Sequence, residues 1–158
     1  DLIVLSNTIG DAAYALNHPN SEVQHRLDYP QPQNKLGMAL SGFASSMLDI
    51  SDGLAQDLGH ILLASHVGAE LYLDQLPLSA TLQQLPKAQA WQLALTGGDD
   101  YELCFTIAAE RLQQFCQQYA GQFELQVIGK ITRGSGIQLF NQGSALTMTH
   151  LQGYQHFD

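Results

Sequence analysis

Positive charge is scarce in this sequence: six Lys and Arg residues face fifteen Asp and Glu, for a formal net charge of −9. A protein that grips a phosphate backbone through a basic patch needs the opposite balance, so nucleic acid is excluded as an expected partner. Charge of either sign is thin, at 13% of residues against a usual figure of about 25%. Cysteine is limited to Cys104 and Cys116, too few for a disulfide framework. No apolar run approaches the ~20 residues of a membrane span, so no membrane is expected and the expected location is the cytoplasm. An acidic disordered chain is excluded as well, because 45% of the residues are hydrophobic and can bury a core.

What is present is a chain of 158 residues, an ordinary size for one domain. Nineteen glutamines supply much of its polar surface without charge. The acids are concentrated. Between Leu36 and Glu110 stand Asp49, Asp52, Asp57, Glu70, Asp74, Asp99, Asp100, Glu102 and Glu110, with Lys87 the single cation, so this stretch alone holds a net −8. Like charges at such density either splay into water or gather around bound cations. The chain opens on Asp1-Leu2-Ile3-Val4-Leu5, without an initiator Met and already inside what reads as a buried strand. The expectation is a piece of a longer protein.

Residues 2–6 read as a strand, and Gly10-Asp11 opens a short helix through Leu16. Pro30 and Pro32, set among glutamines, punctuate a connection, and a helix is expected over 34–43. A short strand over 46–50 runs into Ser51-Asp52-Gly53 and a helix over 54–65, whose Leu54, Leu58, Ile61 and Leu62 share one face. A strand over 69–73 ends before Pro77, and a helix over 87–95, with Ala88, Trp91 and Leu95 on one side, stops at Gly97-Gly98. Residues 102–107 alternate as a strand, with Leu103, Phe105 and Ile107 on one face and Glu102, Cys104 and Thr106 on the other. The helix over 110–119 carries the stripe Leu112, Phe115, Cys116 and Tyr119, so both cysteines read as core residues. The rest reads as strands over 125–132, 137–140 and 145–149, with Gly134-Ser135-Gly136 as a hairpin turn. Strands and helices alternating without a repeat give a mixed β-sheet carrying helices, of the α/β (α+β) class.

Two constellations can carry chemistry. In Asp49-Ile50-Ser51-Asp52-Gly53 two carboxylates flank a hydroxyl at a strand-to-helix junction, a donor set suited to a hard dication such as Mg²⁺ that leaves room for phosphate. Backbone N–H groups at the helix start favour an anion in the same space. A plain structural reading, with Ser51 or Asp52 as the helix N-cap, fits the same spacing. In Gly97-Gly98-Asp99-Asp100-Tyr101-Glu102 paired glycines permit a tight turn and close approach to backbone, followed by three acids in four residues. The alternative there is a capped helix end and a solvated loop. The six histidines show no metal-ligand spacing, and no Walker-type Gly-Lys-Ser/Thr run or Ser-His-Asp arrangement is present.

The segments Met47-Leu48-Asp49-Ile50-Ser51-Asp52-Gly53-Leu54 and Leu95-Thr96-Gly97-Gly98-Asp99-Asp100-Tyr101-Glu102-Leu103-Cys104-Phe105-Thr106 resemble thiamine-monophosphate kinase. So do Thr8-Ile9-Gly10-Asp11-Ala12-Ala13 and the closing Gly153-Tyr154-Gln155-His156-Phe157, and the match runs in order along nearly the whole chain. That family belongs to the aminoimidazole ribonucleotide synthetase-like group of two-domain proteins, which dimerise through their N-terminal domains. The resemblance implies that residues 1–158 form a single C-terminal domain, lacking an ATP-binding and dimerisation domain of about 150 residues, an ordinary domain size. It further implies ATP-dependent phosphorylation of thiamine monophosphate to thiamine diphosphate with Mg²⁺. Carried over by position, Asp49 and Asp52 correspond to Mg²⁺ ligands, Ser51 to an ATP contact, and Asp99 and Tyr154 to substrate contacts. Asp99 stands where relatives often carry Glu. No protein nucleophile or other catalytic residue is expected, since phosphoryl transfer rests mainly on positioning and charge neutralisation. The partners implied are ATP, thiamine monophosphate and a second copy in the full-length protein; this chain alone is expected to be inactive. The alternatives are another ATP-using member of the group, of the selenophosphate synthetase or hydrogenase-maturation kind, or a non-catalytic binding module. Gly97 to Glu102 together with Gly-Tyr-Gln-His-Phe points to the thiamine enzyme.

Overall fold

Successive side chains of a strand point to opposite faces, so a sheet buries both faces only where something apolar covers each. The computed structural model, which describes residues 1–146, shows such a double cover. Among those residues seven strands form one sheet: β1 (Leu2–Ser6), β2 (Ser46–Asp49), β3 (Gly68–Tyr72), β4 (Leu103–Ile107), β5 (Leu125–Thr132), β6 (Gly136–Asn141) and β7 (Ser144–Leu146). Their order across the sheet is β2, β4, β1, β5, β3, β6, β7, and every neighbouring pair is antiparallel except the parallel β3 and β6. The mixed sheet of the α/β class is therefore as the sequence implies.

Helices α1 (Asp11–Asn17), α2 (Gln24–Asp28), α3 (Asn34–Leu40), α4 (Leu54–Ser65), α5 (Ala80–Gln83), α6 (Lys87–Thr96) and α7 (Ala109–Gln118) accompany the sheet. On one face Ile3, Leu5 and Cys104 pack with Leu54, Leu58, Ile61 and Leu62 of α4 and with Ala94 and Leu95 of α6. On the other, Val4, Phe105 and Ile107 pack with Leu36 and Leu40 of α3 and with Phe115 of α7. Both faces of β4 are thus buried, Cys104 and Thr106 included, and each fully buried aliphatic or aromatic side chain adds about 1.5–3 kcal/mol.

Several expectations change. Gly134-Ser135-Gly136 is not a hairpin turn, because β3 lies between β5 and β6, and the connection crosses the start of β3. Cys116 is exposed: the stripe of α7 centres on Phe115, flanked by the half-buried Leu112 and Tyr119, and rotates Cys116 out of it. On α6 the buried residues are Ala90, Ala94 and Leu95, with Ala88 exposed. Two short helices, α2 and α5, lack the apolar period that would announce them. The last expected strand is described only as far as Leu146.

The topology has one consequence for the site. β4 runs antiparallel to both β1 and β2, with Leu5 opposite Cys104 and Asp49 opposite Leu103. Antiparallel pairing places the end of one strand beside the start of its neighbour. The chain leaving β1, the chain leaving β2 and the chain entering β4 therefore meet at one end of the sheet.

The two thiols should behave differently. In native protein a thiol reagent is expected to label Cys116 alone, since burial pushes the Cys104 thiol up to about 12. Mass spectrometry of labelled peptides checks this, and native labelling of Cys104 at the rate of Cys116 would contradict the packing.

Candidate functional site

The turn after β2 is built by a carboxylate from within α4. Asp57, in the first helical turn and 5% exposed, accepts hydrogen bonds at Oδ2 from the amides of Ser51 (2.9 Å), Asp52 (3.0 Å) and Gly53 (3.2 Å). Three charge-assisted bonds to one oxygen hold the turn rigid. The N-cap position is Gly53, with no side-chain cap, so neither Ser51 nor Asp52 caps the helix. Asp57 thus occupies the amides of residues 51–53, which precede the amides at the start of α4 itself. What remains free is the outward side: Asp49 and Asp52 are exposed and Ser51 is half-buried, with Gln56 donating to Asp52 at 3.1 Å.

The turn before β4 lies against this one. Asp99 donates its amide to the carbonyl of Ser51 (2.9 Å), and Tyr101 donates to the carbonyl of Ile50 (2.8 Å). Ile50 in turn donates to the carbonyl of Glu102 (2.8 Å). A glycine is required for this approach, because a Cβ on Gly98 would overlap the Ser51 carbonyl oxygen. The glycine pair admits the protein's own backbone here. Asp99 and Tyr101 both lie in the left-handed region, at φ 66° and 53°. Each such residue costs about 1–3 kcal/mol and persists only where its surroundings enforce it, as happens at functional turns.

The acids of this turn divide. Asp99 is exposed, whereas Asp100 is 3% and Glu102 0% exposed. Glu102 accepts from Ser6 Oγ (2.6 Å), Asn7 Nδ2 (2.9 Å) and Arg26 (2.8 Å). Asp100 accepts from the amides of Gly10 (2.7 Å) and Ala12 (3.5 Å) at the start of α1. Asp11, also buried, accepts from Thr8 Oγ (2.8 Å) and Ser79 Oγ (2.5 Å), with Arg26 Nε at 3.8 Å. Asp57, Asp100 and Glu102 are therefore structural anchors, neither solvated face nor ligands.

The exposed side is strongly negative. The phenol of Tyr101 is pushed above its ordinary value chiefly by the charge of Asp99, then by burial and by its hydrogen bond to Asp99 Oδ1 at 3.3 Å, with Asp49 and Asp52 adding to the effect. Asp49, Asp52 and Asp99 thus share one field around Tyr101. Beside them lies a groove of about 570 Å³ whose lining includes the apolar Met38, Met47, Leu48 and Leu103 and the polar Asn34, together with Asp49 and Tyr101. Among the described residues no three His, Cys, Asp or Glu side chains gather closely enough to hold a metal by themselves. A pair of exposed carboxylates fits Mg²⁺, which is held by one or two protein carboxylates and completes its shell with water and phosphate oxygens. Tyr154 lies outside the described residues.

Residues 3–141 match the family described as AIR synthase related protein, C-terminal domain. The chain belongs to this family. Within it, this AIR synthase related domain is similar to the thiamine-monophosphate kinase of Haemophilus influenzae, with 38% identity covering 99% of this chain and 52% of that protein. The crystal structure of thiamine-monophosphate kinase from Stenotrophomonas maltophilia K279a matches with a TM-score of 0.79 and 38% identity, covering 92% of this chain and 51% of that one. AaThiL complexed with AMPPCP and TMP matches with a TM-score of 0.76 and 27% identity, covering 99% and 51%. The AIR synthase related domain spans about half the length of the relatives it matches.

Sequence reasoning passed over Arg26 and gave Asp57 and Tyr101 no role of their own. Asp57 carried a legible signal, a carboxylate in the first turn of a predicted helix that can reach back to the preceding amides. Arg26 carried none, being one cation in a polar segment whose fold comes only from tertiary contact. Burial pushes the Asp100 carboxyl up to about 7; the amides of Gly10 and Ala12 and the charge of Arg26 pull it down, and Asp11 pushes it up. Between the ordinary 3.8 and about 7 the folded protein keeps a proton that the unfolded chain has released, so this contribution to stability is present at low pH and is lost as pH rises through that window. Urea unfolding from about pH 4 to about pH 8 should show the stability of wild type falling relative to Asp100→Asn, and a rising or flat difference would contradict the assignment.

Proposed function

We propose that this chain forms part of the metal and substrate site of a thiamine-monophosphate kinase, in which ATP and Mg²⁺ phosphorylate thiamine monophosphate to thiamine diphosphate by direct in-line transfer. The observation that carries the reading is the backbone bonding of the 50–51 segment to Asp99 and Tyr101, which joins the two acidic turns into one exposed site. The similarity to thiamine-monophosphate kinases over 99% of the chain supports it.

In this reading Asp49 and Asp52 hold Mg²⁺, which when bound neutralises phosphate charge and orients the phosphates. Ser51 contacts ATP, its backbone fixed by Asp57 and its hydroxyl left free of the helix cap. Asp99 faces the cationic thiazolium, and Tyr154, placed by sequence alone, supplies an aromatic face for it. The groove beside Asp49 and Tyr101 offers an apolar wall for a flat ring. Direct transfer to the phosphate of the substrate needs no covalent enzyme intermediate, so what these residues do is bind and orient. The −9 net charge accords with this, because acids can receive a phosphate ligand where a bound dication offsets their charge and coordinates the phosphate oxygens. The remaining length of the relatives belongs, in this reading, to a nucleotide-binding and dimer-forming part, and the enzyme works in the cytoplasm.

The test is kinetic. The 158-residue chain alone should show negligible thiamine diphosphate formation with Mg-ATP. In the kinase that carries this chain at full length, Asp49→Asn and Asp52→Asn should each lower kcat by about a hundredfold or more and raise the Mg²⁺ concentration required. Wild-type turnover by the Asp49→Asn enzyme, or robust turnover by the chain alone, would overturn the assignment.

A further inference from the structure

The 99–101 turn holds two left-handed residues on either side of a buried carboxylate, an arrangement that backbone preference alone does not sustain. Asp99 and Tyr101 reach outward and Asp100 reaches inward. Asp100 reaches the start of α1, a helix without a side-chain cap of its own, where Oδ2 takes the Gly10 amide and Oδ1 the Ala12 amide. That seat is tightly packed. Gly10 has φ 87°, and a Cβ there would stand 2.8 Å from the Ala94 nitrogen, so the start of α1 is wedged against α6. α6 leads directly into Gly97 and the same turn. The clamp also sits between the two amides, Asp99 and Tyr101, that bond the carbonyls of Ser51 and Ile50.

We propose that Asp100 is a positioning residue of this site, whose grip on the Gly10 and Ala12 amides fixes the backbone that aims Asp99 at the substrate. The inference rests on the reading of the site as a thiamine-monophosphate kinase and extends it to a residue that touches no substrate. Asp100 acts on the Asp99 side of the site. On the Asp49 to Gly53 side the amides of Ser51, Asp52 and Gly53 have their own anchor in Asp57, and the Ile50 amide bonds the Glu102 carbonyl rather than Asp100. Losing the clamp should therefore weaken use of thiamine monophosphate and leave Mg-ATP binding in place.

The experiment compares Asp100→Ala and Asp100→Asn in the full-length kinase, with amide hydrogen exchange read on the same proteins. Asp100→Ala should raise KM for thiamine monophosphate by about ten- to a hundredfold, in line with the cost of ångström-scale misplacement, while KM for Mg-ATP changes less than about twofold. Protection of the Asp99 and Tyr101 amides should fall, while that of the amides of β1 and β4 is kept. Asp100→Asn, which retains an acceptor for the Gly10 amide, should recover most of the KM; if the alanine variant fails to fold, a smaller rise in the same KM and the same selective loss of protection are expected of the asparagine variant. Equal rises in both KM values, or unchanged protection at Asp99 and Tyr101, would overturn the proposal. A wild-type enzyme that does not turn over thiamine monophosphate would instead overturn the functional reading, with the exchange result still reporting on the clamp.

Discussion

Everything at this site depends on β4 lying between β1 and β2 and running antiparallel to both. That pairing brings together three segments far apart in sequence: 6–12 after β1, 49–53 after β2 and 97–102 before β4. Backbone bonds then fix their separation, from Asp99 to Ser51 at 2.9 Å and from Tyr101 to Ile50 at 2.8 Å. Gly98 is required at the contact because any side chain there would occupy the space of the Ser51 carbonyl oxygen. Chemistry is left to the side chains that point away from this contact.

The acidic excess follows the same division. Asp57, Asp100 and Glu102 are turned inward, and each is satisfied by amides, hydroxyls or the Arg26 guanidinium. Buried carboxylates are costly unless bonded in this way, and once bonded they hold their turns in place. Asp49, Asp52 and Asp99 are turned outward, and their joint field is felt at the Tyr101 phenol. One set of acids builds the platform and the other stands on it. The same type of residue serves both ends because the close contact at Gly98 gives each turn a dry side and a wet side.

Much of this was legible in the sequence. The alternation of 102–107 and the one-sided apolar face of 54–65 yield β4 and α4 directly, and the glycine pair marks a close approach at the correct place. Other features were not legible, for definite reasons. That Cys116 is exposed depends on the rotation of α7 about Phe115, which a stripe of four residues does not determine. The passage of β3 between β5 and β6 is a matter of pairing order, and a Gly-Ser-Gly turn has the same local signature with or without it. Which acid of Asp99, Asp100 and Glu102 points outward depends on left-handed backbone at two non-glycine residues, for which composition offers no sign.

The most direct measurement is Mn²⁺ titration of isotopically labelled full-length protein in the presence of ATP, followed by paramagnetic broadening of backbone amide signals. Convergence of the two turns predicts that the amides of 49–53 and 99–101 broaden together and first. Broadening at only one of the turns, or spread evenly over exposed acids such as Asp74 and Glu110, would contradict a single site built from both.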